Sequence, residues 1–414
     1  MTLGLETAPA YRLWQALDPG EAFSPDERYA ALPVLTKKDL REHSPQGMVP
    51  NRLSVDEGLR RREIELVKTS GTTEESVTNI WNQTWWNASE AASWKLNAHT
   101  AFLDGTQQEA QLASALSVGF LSEDDLPATA RVLDRFLFLN EKATPKEWHE
   151  RHYARMVQEL KDYRPDLLEA NPSYLARLAW WVSAKGLRLH QPRVVIFTYE
   201  LPSAMQLESI RNVFRVPLVS SYGSTEAGYV FMQCEHDTFH QNTDFCRVDF
   251  QPLKIEHGGP SLGRILVTTF QNPWTSLIRF DVGDLVRLDE RPLCPCGRTE
   301  GFRLSAVEGR LENATFTTQG RLVTTKAVDD ALAVVPDLRE YQLTQRSPRE
   351  YALRVVVKAS ASRAIAGARS ALQALHGHEA NLAIEQVEDI EPSLSGKYFR
   401  TRAEFGMDEK GLFA

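Results

Sequence analysis

"RVVIFTYELPSAMQLESIRNVFRVPLVSSYGSTE", residues 193–226, passes from an unbroken apolar run through an amphipathic stretch to a second apolar run and a polar turn. Read by period, it predicts strand, helix, strand and loop. That succession marks a parallel α/β unit, whose ligands gather outside the carboxyl ends of the strands. The polar turn "SSYGSTEAG", 220–228, follows the second strand directly and stands where a ligand would be met.

Working outward, "WHERHYARMVQELKDYRPDLLEA" (148–170) reads as one helix. "YRLWQAL" (11–17) also looks helical, and "LPVLTKKDLREHSP" (32–45) reads as a loop into a short helix capped by Thr36. Trp81, Trp85, Trp86 and Trp94 are expected on one helical stretch, as core or as the wall of a pocket. On the other side, 248–288 alternates short β-like runs with Gly and Asn turns. The character changes after "EGRLEN" (308–313). There "EYQLTQ", the turn "RSPRE", "YALRVVVKA", the helix "RAIAGARSALQAL" and "NLAIEQVEDI" predict a compact strand–strand–helix–strand unit. The fold expected is α/β, a large first unit with mixed sheets and helices followed by a small α+β one.

The bulk composition agrees. A chain of 414 residues with 42% hydrophobic and 25% charged residues is globular and too long for one simple core. A net charge of -8 argues against general nucleic-acid or membrane-surface binding. No apolar run reaches transmembrane length and the N-terminal residues lack the regions of a signal peptide, so a cytoplasmic location is expected.

Four stretches can carry chemistry. "VKTSGTTEES" (67–76) clusters hydroxyls around a glycine, either a polar surface turn or a cradle whose N–H and O–H groups meet phosphate oxygens. In "SSYGSTEAG", Tyr222 can cover a purine face, Thr225 can donate to phosphate and Glu226 can hold magnesium. In "IRFDVGD", Asp284 ends a β-run, where a carboxylate can accept two ribose hydroxyls. In "PSLSGKYFR", Lys397 follows a glycine and can neutralise charge developing on phosphate.

Singly these are turns and an exposed lysine; their order is more specific. Hydroxyl loop, Y-G-S-T-E, R-x-D-x-G-D, E-G-R and S-G-K occur in that order, and the chain from "LPVLTKKDLRE" to "SGKYFRTRAEF" resembles the adenylate-forming superfamily. Within it the resemblance is to the branch of phenylacetate-CoA ligase and coenzyme F390 synthetase. It implies an N-terminal AMP-binding domain (1–309) and a mobile C-terminal cap (310–414) hinged near Glu312. It also implies ATP and Mg²⁺ as cofactors, and an aryl or arylacetic acid as substrate. The expected acceptor is coenzyme A, the alternatives being a carrier-protein thiol or an amine. A nucleotide-binding protein without turnover is the reading from another class.

By the same resemblance Thr69, Ser70, Gly71, Thr72 and Thr73 hold the β- and γ-phosphates. Tyr222, Gly223 and Ser224 line the adenine side, Thr225 meets the α-phosphate and Glu226 supports Mg²⁺. Glu200 matches a position beside the adenine slot, Asp284 the ribose ligand, Arg310 a further nucleotide contact and Lys397 the lysine that promotes adenylation. One departure stands out: Glu74 and Glu75 follow the loop where the family has a glycine and a basic residue, and carboxylates repel a triphosphate.

The cysteines fall in two places, Cys234 in "QCEHDTFHQ" with Cys246 beyond it, and Cys294 with Cys296 in "LCPCGR". Thiolates and imidazole from two separated loops suit a closed structural zinc site, and a disulfide within C-P-C would be badly strained. The expected ligands are Cys234, His240, Cys294 and Cys296. His236 is the substitute, and Cys246 is expected to be a small buried side chain.

Overall fold

The computed structural model describes residues 5, 7–68, 77–393, 396–406 and 409–414, the side chains of 117 and 410 apart. Near the N-terminus lie short 3₁₀ turns, Pro9–Tyr11 and Trp14–Leu17, in place of the helix expected at 11–17. Helix α1, Lys37–His43, begins as expected at Thr36, which exchanges hydrogen bonds with Asp39 in a capping box. A hairpin of β1 (Glu65–Lys68) and β2 (Thr78–Trp81) then leads to α2 (Gln83–Trp94). Trp81 therefore belongs to a strand and not to the helix of the other three tryptophans.

The centre is a mixed sheet of twelve strands among the described residues. Its parallel part joins β3 (Glu109–Leu112), β6 (Leu167–Ala170), β7 (Val194–Phe197) and β8 (Leu218–Ser224), with β4 (Val132–Leu133) and β5 (Phe136–Phe138) at the edge. Alternation along β7 shows why the strand forms here. Val195 and Phe197 pack against helices α4 (Pro172–Lys185) and α5 (Ala204–Val213), while Val194 and Ile196 pack toward α2 and Trp94. Buried on both faces, the strand needs no polar residue, which is why it reads as a continuous apolar run.

The helix expected over 148–170 is shorter. Helix α3 is Glu150–Tyr163; Arg164 turns left-handed at φ 52, Pro165 follows, and "LLEA" is the fully buried strand β6. The residue before a proline is pushed out of the helical region, so the boundary has a local cause.

Beyond β8 the sheet becomes antiparallel through β9 (Gly228–Gln233), β10 (Phe239–Gln241), β11 (Cys246–Pro252), β12 (Leu262–Thr269), β13 (Phe280–Leu288) and β14 (Arg303–Arg310). After a short hairpin, β15 (Thr315–Phe316) with β16 (Leu322–Val323), a separate four-stranded sheet follows. It runs in the order β19 (Asn381–Gln386), β18 (Glu350–Val357), β17 (Leu338–Ser347), β20 (Thr401–Ala403). Helices α6 (Thr325–Ala333) and α7 (Ala361–His376) pack on it around Val328, Leu343, Leu353 and Leu372. Among the described residues no helix is long and apolar enough to cross a membrane.

Candidate functional site

The β8–β9 hairpin carries Y-G-S-T-E at the carboxyl end of the parallel strands. Gly223 is required there: a Cβ would lie 2.2 Å from the carbonyl oxygen of Gly228 across the hairpin. Ser224 Oγ accepts the Ala227 N–H at 3.1 Å, which shapes the turn bearing Thr225 and Glu226. Tyr222 is buried and donates its hydroxyl to Asp284 Oδ2 at 2.8 Å. Asp284 lies opposite Arg310 in the β13–β14 ladder, and their side chains pair at 3.5 Å. Four residues expected from three distant motifs, Tyr222, Glu226, Asp284 and Arg310, thus share one neighbourhood.

A fifth residue joins them, and the sequence reading assigned it no role. Leu35 bonds to Arg279 and Asp281 beside β13, which brings the start of α1 to the same place. Burial and the adjacent Arg310 hold the Lys37 ammonium below the usual lysine range, against the pull of Glu226, Asp284 and Glu312. Its motif was legible, but its neighbours Glu226, Asp284, Arg310 and Glu312 come from far later in the chain.

Glu200 follows β7 and has both carboxylate oxygens engaged. Oε2 accepts from Ser173 Oγ at 2.7 Å, and Oε1 accepts the Tyr398 N–H at 2.8 Å. It therefore ties the segment carrying Lys397 to the carboxyl edge of the sheet, one strand away from Tyr222. Thr69, Ser70, Gly71, Thr72 and Thr73, expected to hold phosphate, lie with Glu74 and Glu75 outside the described residues; in the chain they fall between β1 and β2.

Cys234, His240, Cys294 and Cys296 converge from β9–β10 and from the loop after β13, their ligand atoms all within 4.8 Å of one another. The Cys234 and Cys294 sulfurs are 3.7 Å apart, against about 3.8 Å for two thiolates on a tetrahedral ion with Zn–S near 2.3 Å. Cys296 Sγ stands 3.2 Å from His240 Nε2. The donor set fits zinc: three soft sulfurs and one imidazole with its Nε2 turned inward. His236 is not in the group, and Cys246 is a buried thiol facing backbone carbonyls. A second grouping, Asp125, Glu141 and His152, is already compensated by Lys142, Arg151, Arg131 and Arg155 and has no charge to offer a cation.

On the α2 side of the sheet lies a polar and aromatic group, of which sequence reading named the tryptophans and missed Glu90, Glu109, Glu169 and Tyr229. Trp86 stacks near Trp81 and Tyr229, with ring centroids 4.0 and 5.1 Å away. Tyr229 donates to Glu90 at 2.8 Å, and Thr198 to Glu169 at 2.8 Å. Burial, then the nearby Glu169 carboxylate, pushes Glu90 up to about 8, so it is held protonated at neutral pH. Burial also raises Glu109 and Glu169. Charges buried singly on a helix and two strands, as Glu90, Glu109 and Glu169 are, carry no periodic signal.

No family model and no curated protein matches the sequence. Solved structures do match the fold. A 2-hydroxyisobutyryl-CoA ligase in the postadenylation state, in complex with R3-HIB-AMP, aligns over 99% of this chain and 88% of its own, at 20% identity and a TM-score of 0.69. The same ligase in the thioesterification state, with 2-HIB-AMP and CoA, gives 0.55 at 20% identity over 97% and 87%. The amide bond synthetase McbA from Marinactinospora thermotolerans gives 0.54 at 16% identity over 81% and 68%. The chain shares the α/β fold of these ligases and this synthetase.

Proposed function

We propose that this chain is an ATP- and Mg²⁺-dependent ligase that activates a carboxylic acid as its acyl-adenylate and passes the acyl group to a thiol, that of coenzyme A. The observation that carries the reading is the meeting of Tyr222, Glu226, Asp284 and Arg310 at the carboxyl edge of the parallel strands, with Lys397's segment held one strand away by Glu200. The fold shared with acyl-CoA ligases supports it.

In this reading the nucleotide lies along the β8–β9 hairpin, with the Tyr222 ring and Gly223–Ser224 backbone beside adenine, and Asp284, backed by Arg310, accepting the ribose hydroxyls. The residues 69–73 hold the β- and γ-phosphates. Glu226 would hold Mg²⁺, whose charge offsets the negative charge of the phosphates. A carboxylate oxygen of the acid attacks the α-phosphorus in line, the bond to the bridging oxygen breaks, and pyrophosphate leaves. Thr225 and Lys397 stabilise the charge that grows on the phosphate oxygens; positioning and electrostatics do the work, since no proton has to move. In the second step the thiol gives up its proton to solvent, its sulfur attacks the acyl carbon, the acyl carbon–oxygen bond breaks and AMP departs.

The cap, 310–414, turns about Glu312 between these steps. The four-residue cysteine–histidine group would hold a structural zinc, stapling the strand after the hairpin to the loop after β13. The aromatic group around Trp86 and Tyr229 supports an aryl or arylacetic acid, and the protonated Glu90 offers a donor to a polar substituent on it. ATP–pyrophosphate exchange, screened over aryl, arylacetic, small hydroxy, fatty and amino acids, tests the reading. Exchange with at least one acid, abolished by Lys397→Ala, is expected; background exchange with every acid would leave a nucleotide-binding protein without turnover.

A further inference from the structure

Arg177 lies on the inner face of α4, in the large unit, and is 6% exposed. Both carboxylates that pair with it belong to the small unit. Nη1 and Nη2 reach the two Glu340 oxygens at 2.8 and 3.0 Å, and Nη2 reaches Asp389 Oδ1 at 2.7 Å. The guanidinium also lies 4.5 Å from the ring centroid of Tyr398, the residue after Lys397.

The same helix face continues this grip one turn earlier. The Tyr174 hydroxyl donates to the Ala143 carbonyl at 3.1 Å and stands 3.5 Å from the Gly396 carbonyl, and Ser173 holds the Glu200 carboxylate that accepts the Tyr398 N–H. Ser173 and Tyr174 lie four and three positions before Arg177, the spacings that place helical side chains side by side, so one stripe of α4 meets the chain on both sides of Lys397. The approach is close: a Cβ on Gly396 would stand 2.5 Å from Ser114 Oγ and 3.2 Å from the Tyr174 hydroxyl.

We propose that Arg177 is a positioning residue: paired with Glu340 and Asp389 and stacked on Tyr398, it latches the segment bearing Lys397 against the large unit for adenylation, and it lets go for acyl transfer. This rests on the two-step reading above. An ion pair suits a joint that opens and closes, because the charges lost to one another on opening are regained by water, leaving the two arrangements near balance. An apolar joint would have to expose hydrocarbon at every turnover.

The test compares Arg177→Met and Asp389→Asn with the unmodified chain by three measurements. These are pyrophosphate exchange with whichever acid supports it, transfer of a supplied acyl-adenylate to coenzyme A, and amide hydrogen exchange of residues 396–403. Arg177→Met is expected to slow pyrophosphate exchange at least tenfold, leave transfer within twofold, and speed hydrogen exchange in 396–403 while the β18 amides stay protected. Asp389→Asn, at a third-exposed position, is expected to act in the same direction by a smaller factor, and carries the test if Arg177→Met does not fold. Equal loss of both half-reactions, or unchanged hydrogen exchange in 396–403, would overturn the latch. Absent pyrophosphate exchange in the unmodified chain would instead overturn the ligase reading, and the hydrogen-exchange comparison would still decide the latch.

Discussion

Tyr222 donates its hydroxyl to Asp284 across 2.8 Å, joining the end of β8 to β13 within the antiparallel half of the sheet. The bond orients a carboxylate that is 9% exposed and that already faces Arg310. Tyr222→Phe keeps the ring and removes that bond. A hydrogen bond to a charged group contributes about 1.5–3 kcal/mol. The expected result is a rise of roughly tenfold or more in the KM for ATP with a smaller change in kcat. An unchanged KM would separate Asp284 from nucleotide binding.

Lys37 is the site residue whose role comes from the fold alone. Its ammonium faces Glu226, Asp284 and Arg310 from the start of α1. Lys37→Ala is expected to lower pyrophosphate exchange by roughly tenfold or more, the scale of one lost charge-assisted contact. Lys37→Arg should keep most of the activity. Exchange at the unmodified level in Lys37→Ala would place the lysine outside the reaction.

The cysteine–histidine group predicts one zinc per chain after mild purification, read by metal analysis. Because metal binding at such a site is coupled to folding, a strong chelator should lower Tm, and zinc alone should restore it. Cys294→Ser should reduce both metal content and Tm. Less than half an equivalent in the unmodified protein would contradict the site.

Glu90 gives a pH dependence with a defined sign. Its carboxyl is raised from 4.5 to about 8 in the fold by burial and by Glu169. Across that window the native state holds a proton that the unfolded chain has released, so this group's contribution to stability declines as pH rises and levels off above 8. Glu90→Gln cannot ionise and keeps an acceptor for Tyr229. Its Tm relative to the unmodified protein should therefore climb between pH 5 and pH 8, measured by thermal melts at each pH. A difference that stays flat would show the carboxyl ionising normally.

Much of this was visible in the chain before any coordinates. The 193–226 segment announced itself because β7 and β8 are buried on two faces and α5 has a clear helical period. The small unit's β17, β18, α7 and β19 follow the runs and turn that predicted them. Cysteine and histidine chemistry restricted the candidate ligands to a few residues, and four of them meet. The misreadings have local causes. "LLEA" is short and apolar enough to prolong a helical pattern, and only Pro165 with the left-handed Arg164 separates it from α3. Trp81 matches the spacing of the α2 tryptophans but stands on β2. Lys37 and the Glu90–Glu109–Glu169 group owe their surroundings to contacts between distant segments, which no period within one segment encodes.

The route of the acid oxygen tests the central claim most directly. An accepted acid labelled with ¹⁸O in its carboxylate is turned over with ATP and coenzyme A, and the phosphorus products are analysed by mass. Attack of the carboxylate on the α-phosphorus, followed by cleavage of the acyl carbon–oxygen bond, predicts one labelled oxygen in AMP and none in pyrophosphate. Unlabelled AMP, or ADP together with labelled orthophosphate, would contradict adenylation.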